Sequence, residues 1–306
     1  MSADLFIAGD WGTSRLRLSL IRGDQVLARA EGPGIGQTPD PATVLAAATA
    51  DWPETTPVIL SGMVGSQIGW VEAPYLDCPA RTEDLARAMV RFRSGHRDIA
   101  IAPGLACRNL SDAPDVMRGE ETQILGAMAL DPRLRTGRHL LALPGTHSKW
   151  ARLEDGAVID FQTSVSGELF AALRDHTVLG RGLEGLDPTD AEGFRLGLDR
   201  ALDGPHPSLP HLLFEVRSRR LRDDLSPAAA LAALSGMVIG ADVAGAAAGV
   251  PDLPVTLVGA PGLTAGYAQA LERLGRSVQT LDGDAAALTG LRRLRQALDQ
   301  LGDTGR

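Results

Sequence analysis

The stretch "IAGDWGTSRLRLSLIRGD", residues 7–24, decides how the chain is read. An apolar run ends on Asp10, turns through Gly12-Thr13-Ser14, and returns with Arg15, Arg17 and Ser19 alternating with Leu16, Leu18 and Leu20. A period of two predicts strands over 4–9 and 15–21 with one face buried. A third strand is expected over 25–30, after a tight turn at Gly23. The same pattern recurs in the second half. Strands are expected near 139–143, 148–154 and 157–161, with Gly145-Thr146-His147-Ser148 between the first two and Asp155-Gly156 as a two-residue hairpin turn. Gly12 to Gly23 and Gly145 to Gly156 are both eleven residues. Two strand–turn–strand units with Gly-Thr at the same turn predict a duplicated domain.

A Gly-Thr turn has a use beyond reversing the chain. Glycine lets the backbone approach a ligand closely, and amides clustered at a turn, with a Thr or Ser hydroxyl beside them, form a concavity for an anion. Two such turns suit the β- and γ-phosphates of a nucleotide. A P-loop is excluded, because no G-x-x-x-x-G-K-[ST] occurs: Lys149 follows "GTHS" and precedes Trp150.

The rest of the chain frames these units. Its 306 residues exceed what one core supports, so two domains with a ligand-binding cleft are expected. The boundary is expected near residue 114. On that reading 1–114 carry the first turn and acceptor contacts, 115–306 carry the rest, and a C-terminal helix packs back on the first domain. Helices are expected near 41–51 and 83–93, strands over 57–62 and 98–104, and a helix opened by acids in "DVMRGEETQILGAMALDP" after residue 114. Residues 167–249 read mostly as helix, 254–262 as a buried strand and Gly-rich turn, and a helix closes the chain. The class is α/β.

Composition narrows the function classes. A net charge of −8, with 44% hydrophobic residues, argues against a nucleic-acid surface, and "RSRRLR" at 217–222 reads as a solvated helix face. Cys78 and Cys107 have no metal-ligand spacing and are too few for a disulfide framework, so a reducing cytoplasm is the default. "MSADLFIAGD" lacks the basic start of a secretory leader. The apolar tract 228–250 is Ala/Gly-rich and contains Asp242, which favours a buried helix over a membrane span. Self-association is left open.

"DWGTSRLRL" (10–18), "SGMVGSQIGWVEAPYLDCPA" (61–80), "RGEETQILG" (118–126), "LPGTHSKW" (143–150) and "TSVSGELFAALRDHTVLG" (163–180) together resemble the 2-dehydro-3-deoxygalactonokinase family over roughly residues 5–290. The resemblance implies a two-domain actin-like ATPase fold, with duplicated ribonuclease H-like domains and a central interdomain cleft. It implies ATP-dependent phosphorylation of 2-dehydro-3-deoxy-D-galactonate at its terminal hydroxyl, in galactonate catabolism. The first phosphate motif then falls on Asp10, Gly12, Thr13 and Ser14, the second on Gly145, Thr146 and His147, and the adenosine motif on Gly259, Ala260, Pro261 and Gly262.

The residue chemistry suits that implication. Asp10 at a strand end could hold a hydrated Mg²⁺, which takes few carboxylates and keeps several waters. Glu120 and Glu121 are the candidate bases. In glycerol-kinase-like sugar kinases a Gly-Asp-Gln-Gln segment opens a helix before the second phosphate turn, and "GEETQ" at 119–123 stands in that place with Glu for Asp. Two acids at a helix start also compensate the helix dipole. Arg15 is the first candidate for the substrate carboxylate, followed by Ser61, Gln67, Trp70 and Glu168. Lys149 could help neutralise charge. The alternatives are a kinase for another sugar or sugar acid, or a nucleotide-gated protein of the same fold that is not a kinase.

Overall fold

The computed structural model describes residues 5–203, 208–250 and 253–303. The expected strand residue 4, the rest of the N-terminal segment before it, and residues 204–207 of the helical stretch lie outside the described residues.

The opening motif folds as β1 (Leu5–Trp11), β2 (Arg15–Arg22) and β3 (Gln25–Pro33), an antiparallel meander. Along β2, exposed Arg15 and Arg17 alternate with buried Leu16 and Leu18, as the period of two predicts. Next come α1 (Pro41–Ala48), β4 (Val58–Ser61), β5 (Tyr75–Asp77), α2 (Thr82–Arg87), β6 (Val90–Ser94), β7 (Arg97–Ile101), β8 (Gly104–Arg108), β9 (Pro114–Met117) and α3 (Glu120–Leu130). β4 joins β1 in parallel, β7 joins β4 in parallel, and β6 is antiparallel to β7, giving the order β3-β2-β1-β4-β7-β6. β5, β8 and β9 form a small separate sheet.

The helix expected over 83–93 ends early. Val90 and Phe92 are half-buried while Arg91 and Arg93 are exposed, a period of two that makes this segment the edge strand β6. Residues 115–117 of the expected helix likewise lie in β9, so α3 begins at the acid pair itself.

The second half contains β10 (Arg138–Leu143), β11 (Ser148–Glu154), β12 (Ala157–Ser164), α4 (Ser166–His176), α5 (Ala191–Leu202), α6 (Leu209–Arg222), α7 (Pro227–Ala248), β13 (Val255–Gly259), α8 (Pro261–Arg273) and β14 (Val278–Asp282). Its sheet runs β12-β11-β10-β13-β14, with β13 parallel to both β10 and β14. That is the order of the first five strands of the other sheet, so the repeat is one of topology as well as of sequence. Asp155 and Gly156 both take positive φ, the geometry of a two-residue hairpin turn. α7 is long and apolar enough to cross a membrane, yet most of it is buried against α4, α5, α6 and α8.

The chain divides into two compact units. Unit 1 is Met1–Arg138, Arg152–Phe161 and Gly283–Arg306; unit 2 is His139–Ala151 and Gln162–Asp282. The division differs from the one expected at residue 114, since α3 belongs to unit 1. Its reason is α9 (Gly283–Asp303), which packs on α3, α2, β1 and β4. A Cβ on Gly126 of α3 would stand 1.7 Å from the Ala286 carbonyl oxygen, and one on Gly290 of α9 would stand 1.8 Å from that of Thr122. The two helices touch backbone to backbone. Unit 1 is centred on Ile7, Trp11, Leu16, Leu60 and Ile101. Unit 2 has one cluster around Trp150, Leu257 and Tyr267 and another around Leu183, Leu231 and Met237.

Candidate active site

In unit 1, Asp10 and Ser61 lie side by side at the carboxyl ends of the parallel strands β1 and β4, where open α/β sheets bind ligands. Arg17 faces Asp10 across the β1–β2 pair, with Nη1 donating to Oδ2 at 3.3 Å. Burial raises the Asp10 carboxyl above its ordinary range; the Arg17 charge opposes the shift and Asp284 adds to it.

The first turn is closed by the Gly12 amide donating to the Arg15 carbonyl at 3.0 Å. It is braced from behind by the "GPGIG" segment, whose Ile35 and Gly36 amides donate to the Gly12 and Thr13 carbonyls at 2.9 and 3.1 Å. Thr13, Ser14 and Arg15 are exposed.

α3 starts from Gly119, whose φ of 109° belongs to glycine. The Gly119 amide donates to Glu121 Oε2 at 2.6 Å, and Thr122 Oγ1 donates to the Gly119 carbonyl at 2.6 Å. This arrangement separates the two acids. Glu120 lines a cavity of about 190 Å³ together with Asp10, Gly12, Gly62 and Gly119. Glu121 is 1% exposed and does not line it; its Oε1 is buried with no hydrogen-bond partner. Burial, with the Glu120 charge adding to it, pushes the Glu121 carboxyl up to about 8, so it is protonated at neutral pH.

Other residues expected on the acceptor side lie elsewhere in unit 1. Ser61 is buried, with Thr122 Oγ1 at 3.4 Å. Gln67 is exposed and outside the cavity lining. Trp70, half-buried, packs edge-on against Trp11 and Phe92, with ring centroids 6.2 and 5.1 Å away, at the margin of the core.

In unit 2 the second turn follows β10. Thr146 and His147 are exposed at its tip, and Ser148 is buried at the start of β11. Gly167 in the first turn of α4 sits directly on it: a Cβ there would be 2.3 Å from the Gly145 carbonyl oxygen. The Glu168 amide donates to the Thr146 carbonyl at 3.0 Å, and Glu168 Oε2 meets His147 Nε2 at 2.6 Å. Glu168 therefore stands beside a phosphate turn. Lys149 is buried and donates to Thr163 Oγ1 at 2.8 Å.

Behind the turn lies a hydroxyl network that sequence reading missed. Ser148 Oγ is 2.8 Å from both Ser166 Oγ and the Tyr267 hydroxyl. Asp242 accepts from Trp150 Nε1 at 2.9 Å, Ser166 Oγ at 2.8 Å and the Tyr267 hydroxyl at 2.7 Å. One carboxylate thus ties β11, α4 and α8 to α7. The available signal was an acid within an otherwise apolar helix, since a buried charge needs partners.

The expected adenosine segment runs off β13. Gly259 is its buried last residue, Ala260 caps α8, Pro261 takes the first helical position, and Gly262 follows. Gly262 and Gly145 share the lining of a second cavity, about 210 Å³, whose walls include Phe170, Phe194 and Ile239. Each unit thus holds one Gly-Thr turn next to one cavity. The cavity beside the turn in unit 1 is lined by Asp10, Glu120 and Arg118, and the one beside the turn in unit 2 is apolar and aromatic.

Comparison with known proteins gives a consistent family. The model of the 2-keto-3-deoxy-galactonokinase family matches residues 10–294. The 2-dehydro-3-deoxygalactonokinase of Escherichia coli K12 is 40% identical over 298 residues, 96% of this chain and 98% of that protein. A crystal structure from Sinorhizobium meliloti, provisionally named a 2-dehydro-3-deoxygalactonokinase, is 39% identical with a TM-score of 0.88, covering 96% of this chain and 99% of that one. At 13% identity and a TM-score of 0.52, the activator of 2-hydroxyisocaproyl-CoA dehydratase from Clostridium difficile shares the fold, over 98% of this chain and 97% of that one. With matching topology in both sheets and a family model spanning both Gly-Thr turns, the chain belongs to the 2-keto-3-deoxy-galactonokinase family.

Proposed function

We propose that the protein transfers the γ-phosphoryl group of ATP to the terminal hydroxyl of 2-dehydro-3-deoxy-D-galactonate, giving the 6-phospho product. The observation that carries this reading is the cavity of unit 1, where a half-buried carboxylate at a helix start (Glu120), a carboxylate at a strand end (Asp10) and a Gly-Thr turn meet. Phosphoryl transfer to an alcohol needs these parts: a proton acceptor, charge neutralisation and donors that position the phosphates.

In this reading Glu120 accepts the proton of the acceptor hydroxyl as its oxygen bonds to the γ-phosphorus. The bond from that phosphorus to the bridging oxygen breaks, and ADP leaves with the electron pair. The amides and hydroxyls of Thr13 and Ser14 hold phosphate oxygens, as do the Thr146 hydroxyl and the amides of Thr146 and His147, while Gly12 and Gly145, whose own amides bond within their turns, let the backbone come close; Arg15 is an exposed cation beside the first turn. The apolar cavity beside Gly262 takes the adenine, whose flat ring suits Phe170 and Phe194. Ser61 supports Thr122 in the first turn of α3. Glu168 orients His147.

A divalent cation fits Asp10. Burial, with Asp284 adding to it, raises its carboxyl in spite of the Arg17 partner, so a cation there would favour the charged form. Bound Mg²⁺ would supply charge neutralisation at the triphosphate.

ADP release in a coupled assay tests the proposal against a panel of 2-keto-3-deoxy sugar acids, glucose and glycerol. The C6 keto acid is expected to give the highest kcat/KM. Faster turnover of glucose or glycerol would sink it.

A further inference from the structure

One residue of the cavity lining described above for unit 1, Arg118, carries a positive charge that no step above uses. Arg118 lies between the end of β9 and Gly119 and contributes to the cavity lining with Asp10 and Glu120. Its guanidinium is fixed from two sides. Nη2 donates to the Ala73 carbonyl at 2.8 Å, and Cζ stands 4.3 Å from the centre of the Tyr75 ring. Gly65 leaves the room that Nη1 occupies, for a Cβ there would lie 3.0 Å from it. The remaining donors have nothing to bond: Nε and Nη1 are both buried without a hydrogen-bond partner.

That state is expensive for a cation. A buried charged donor left unsatisfied loses its hydration without compensation, and native proteins rarely keep one unless a ligand or ion completes it. Among the described residues Arg118 makes no ion pair. The nearby acid, Glu121, forms no ion pair with it, and burial pushes the Glu121 carboxyl up, away from the charged form. Nε and Nη1 each share an edge of the guanidinium with Nη2, so a carboxylate can complete one edge with two parallel hydrogen bonds, using the Nη2 hydrogen that Ala73 does not take, which a neutral sugar cannot offer.

We propose that Arg118 is the receptor for the carboxylate of the acceptor and so selects sugar acids over neutral sugars. The inference rests on the kinase reading above and moves the carboxylate-binding role from Arg15, which is exposed and outside the cavity lining. Arg118 stands two residues before Glu120, so one short segment both receives the acid end of the acceptor and carries the base for its hydroxyl end.

The test compares 2-dehydro-3-deoxygalactonate with its C1 amide, by calorimetric titration without ATP and by steady-state kinetics with it. Wild-type enzyme should prefer the acid by roughly 10–100-fold, the range of hydrogen bonds to charged groups. In Arg118→Met that preference should vanish through a rise in Kd and KM for the acid, with KM for ATP moved less than about twofold. Arg118→Lys, which keeps the charge but not the fork, should retain a reduced preference, and it decides the matter if the Met variant fails to fold. A folded variant of either kind with an undiminished preference for the acid overturns the inference and leaves the kinase reading intact. A wild-type enzyme that neither binds nor phosphorylates the acid overturns both.

Discussion

At the residue scale, the acid pair at the start of α3 divides into a group facing the cavity and a group behind it. Glu120→Gln keeps shape but removes the proton acceptor, so kcat should fall by on the order of 10²–10⁴ with ATP affinity little changed. Near-normal turnover of that variant would transfer the base role to another carboxylate, Asp10 first. Glu121→Gln should be milder in kcat and should instead change how stability depends on pH. The Glu121 carboxyl rises from an ordinary value of 4.5 to about 8 in the fold, so the folded chain binds more protons between those pH values than the unfolded one. Stability from this group is therefore fully present at low pH and is lost as pH climbs through about 8. The Gln variant, neutral throughout, should show a smaller drop in melting temperature between pH 6 and pH 9 than wild type. Equal drops in both proteins would mean that Glu121 is ionised in the fold.

At the element scale, Glu120 is held in place by the packing of α3 on α9. Those helices meet where Gly126 faces Ala286 and Gly290 faces Thr122, so no side chain fits between the two backbones. Gly126→Val must push α9 outward. Overpacking of this kind typically costs about 1–3 kcal/mol, and more where backbone rather than a flexible side chain must yield. For a chain of this size that corresponds to a loss of roughly 1.5 °C in Tm per kcal/mol, seen by differential scanning calorimetry. Activity should fall together with Tm, because Glu120 and Thr122 lie close to Gly126 along the same short helix. A Gly126→Val protein that melts and turns over like wild type would show that the contact is loose in solution.

At the scale of the whole molecule, unit 1 is assembled from both ends of the chain. β1 begins at Leu5, while α9 begins at Gly283 and buries Ala286, Leu291 and Leu294. Removal of residues 283–306 uncovers the apolar faces of α3, β1 and β4 together. The truncated chain is expected to lose the cooperative melting of unit 1 and to bind the fluorescent probe ANS, which marks exposed hydrophobic surface. A truncated protein that keeps wild-type melting and does not bind the probe would assign α9 a peripheral role.

The sequence by itself determined the doubled strand–turn–strand unit, both Gly-Thr turns, the hairpin at Asp155-Gly156 and the family. Each is written in nearest-neighbour terms: a period of two, a turn residue that tolerates positive φ, a motif of a few residues. The tertiary structure decided what depends on distant partners. Residues 90–93 read as helix until β7 offered an edge to pair with, and α3 joined unit 1 because α9, some 160 residues later, covers it. "GEETQ" offered two adjacent acids with Glu120 standing where the related kinases carry their Asp, and the surrounding packing puts Glu120 in the cavity lining and buries Glu121. The roles of Asp242 and Arg118 are not written locally, because a charge acquires its meaning from what surrounds it after folding. Three hydrogen-bond donors surround Asp242, and two of the guanidinium nitrogens of Arg118 are left without an acceptor.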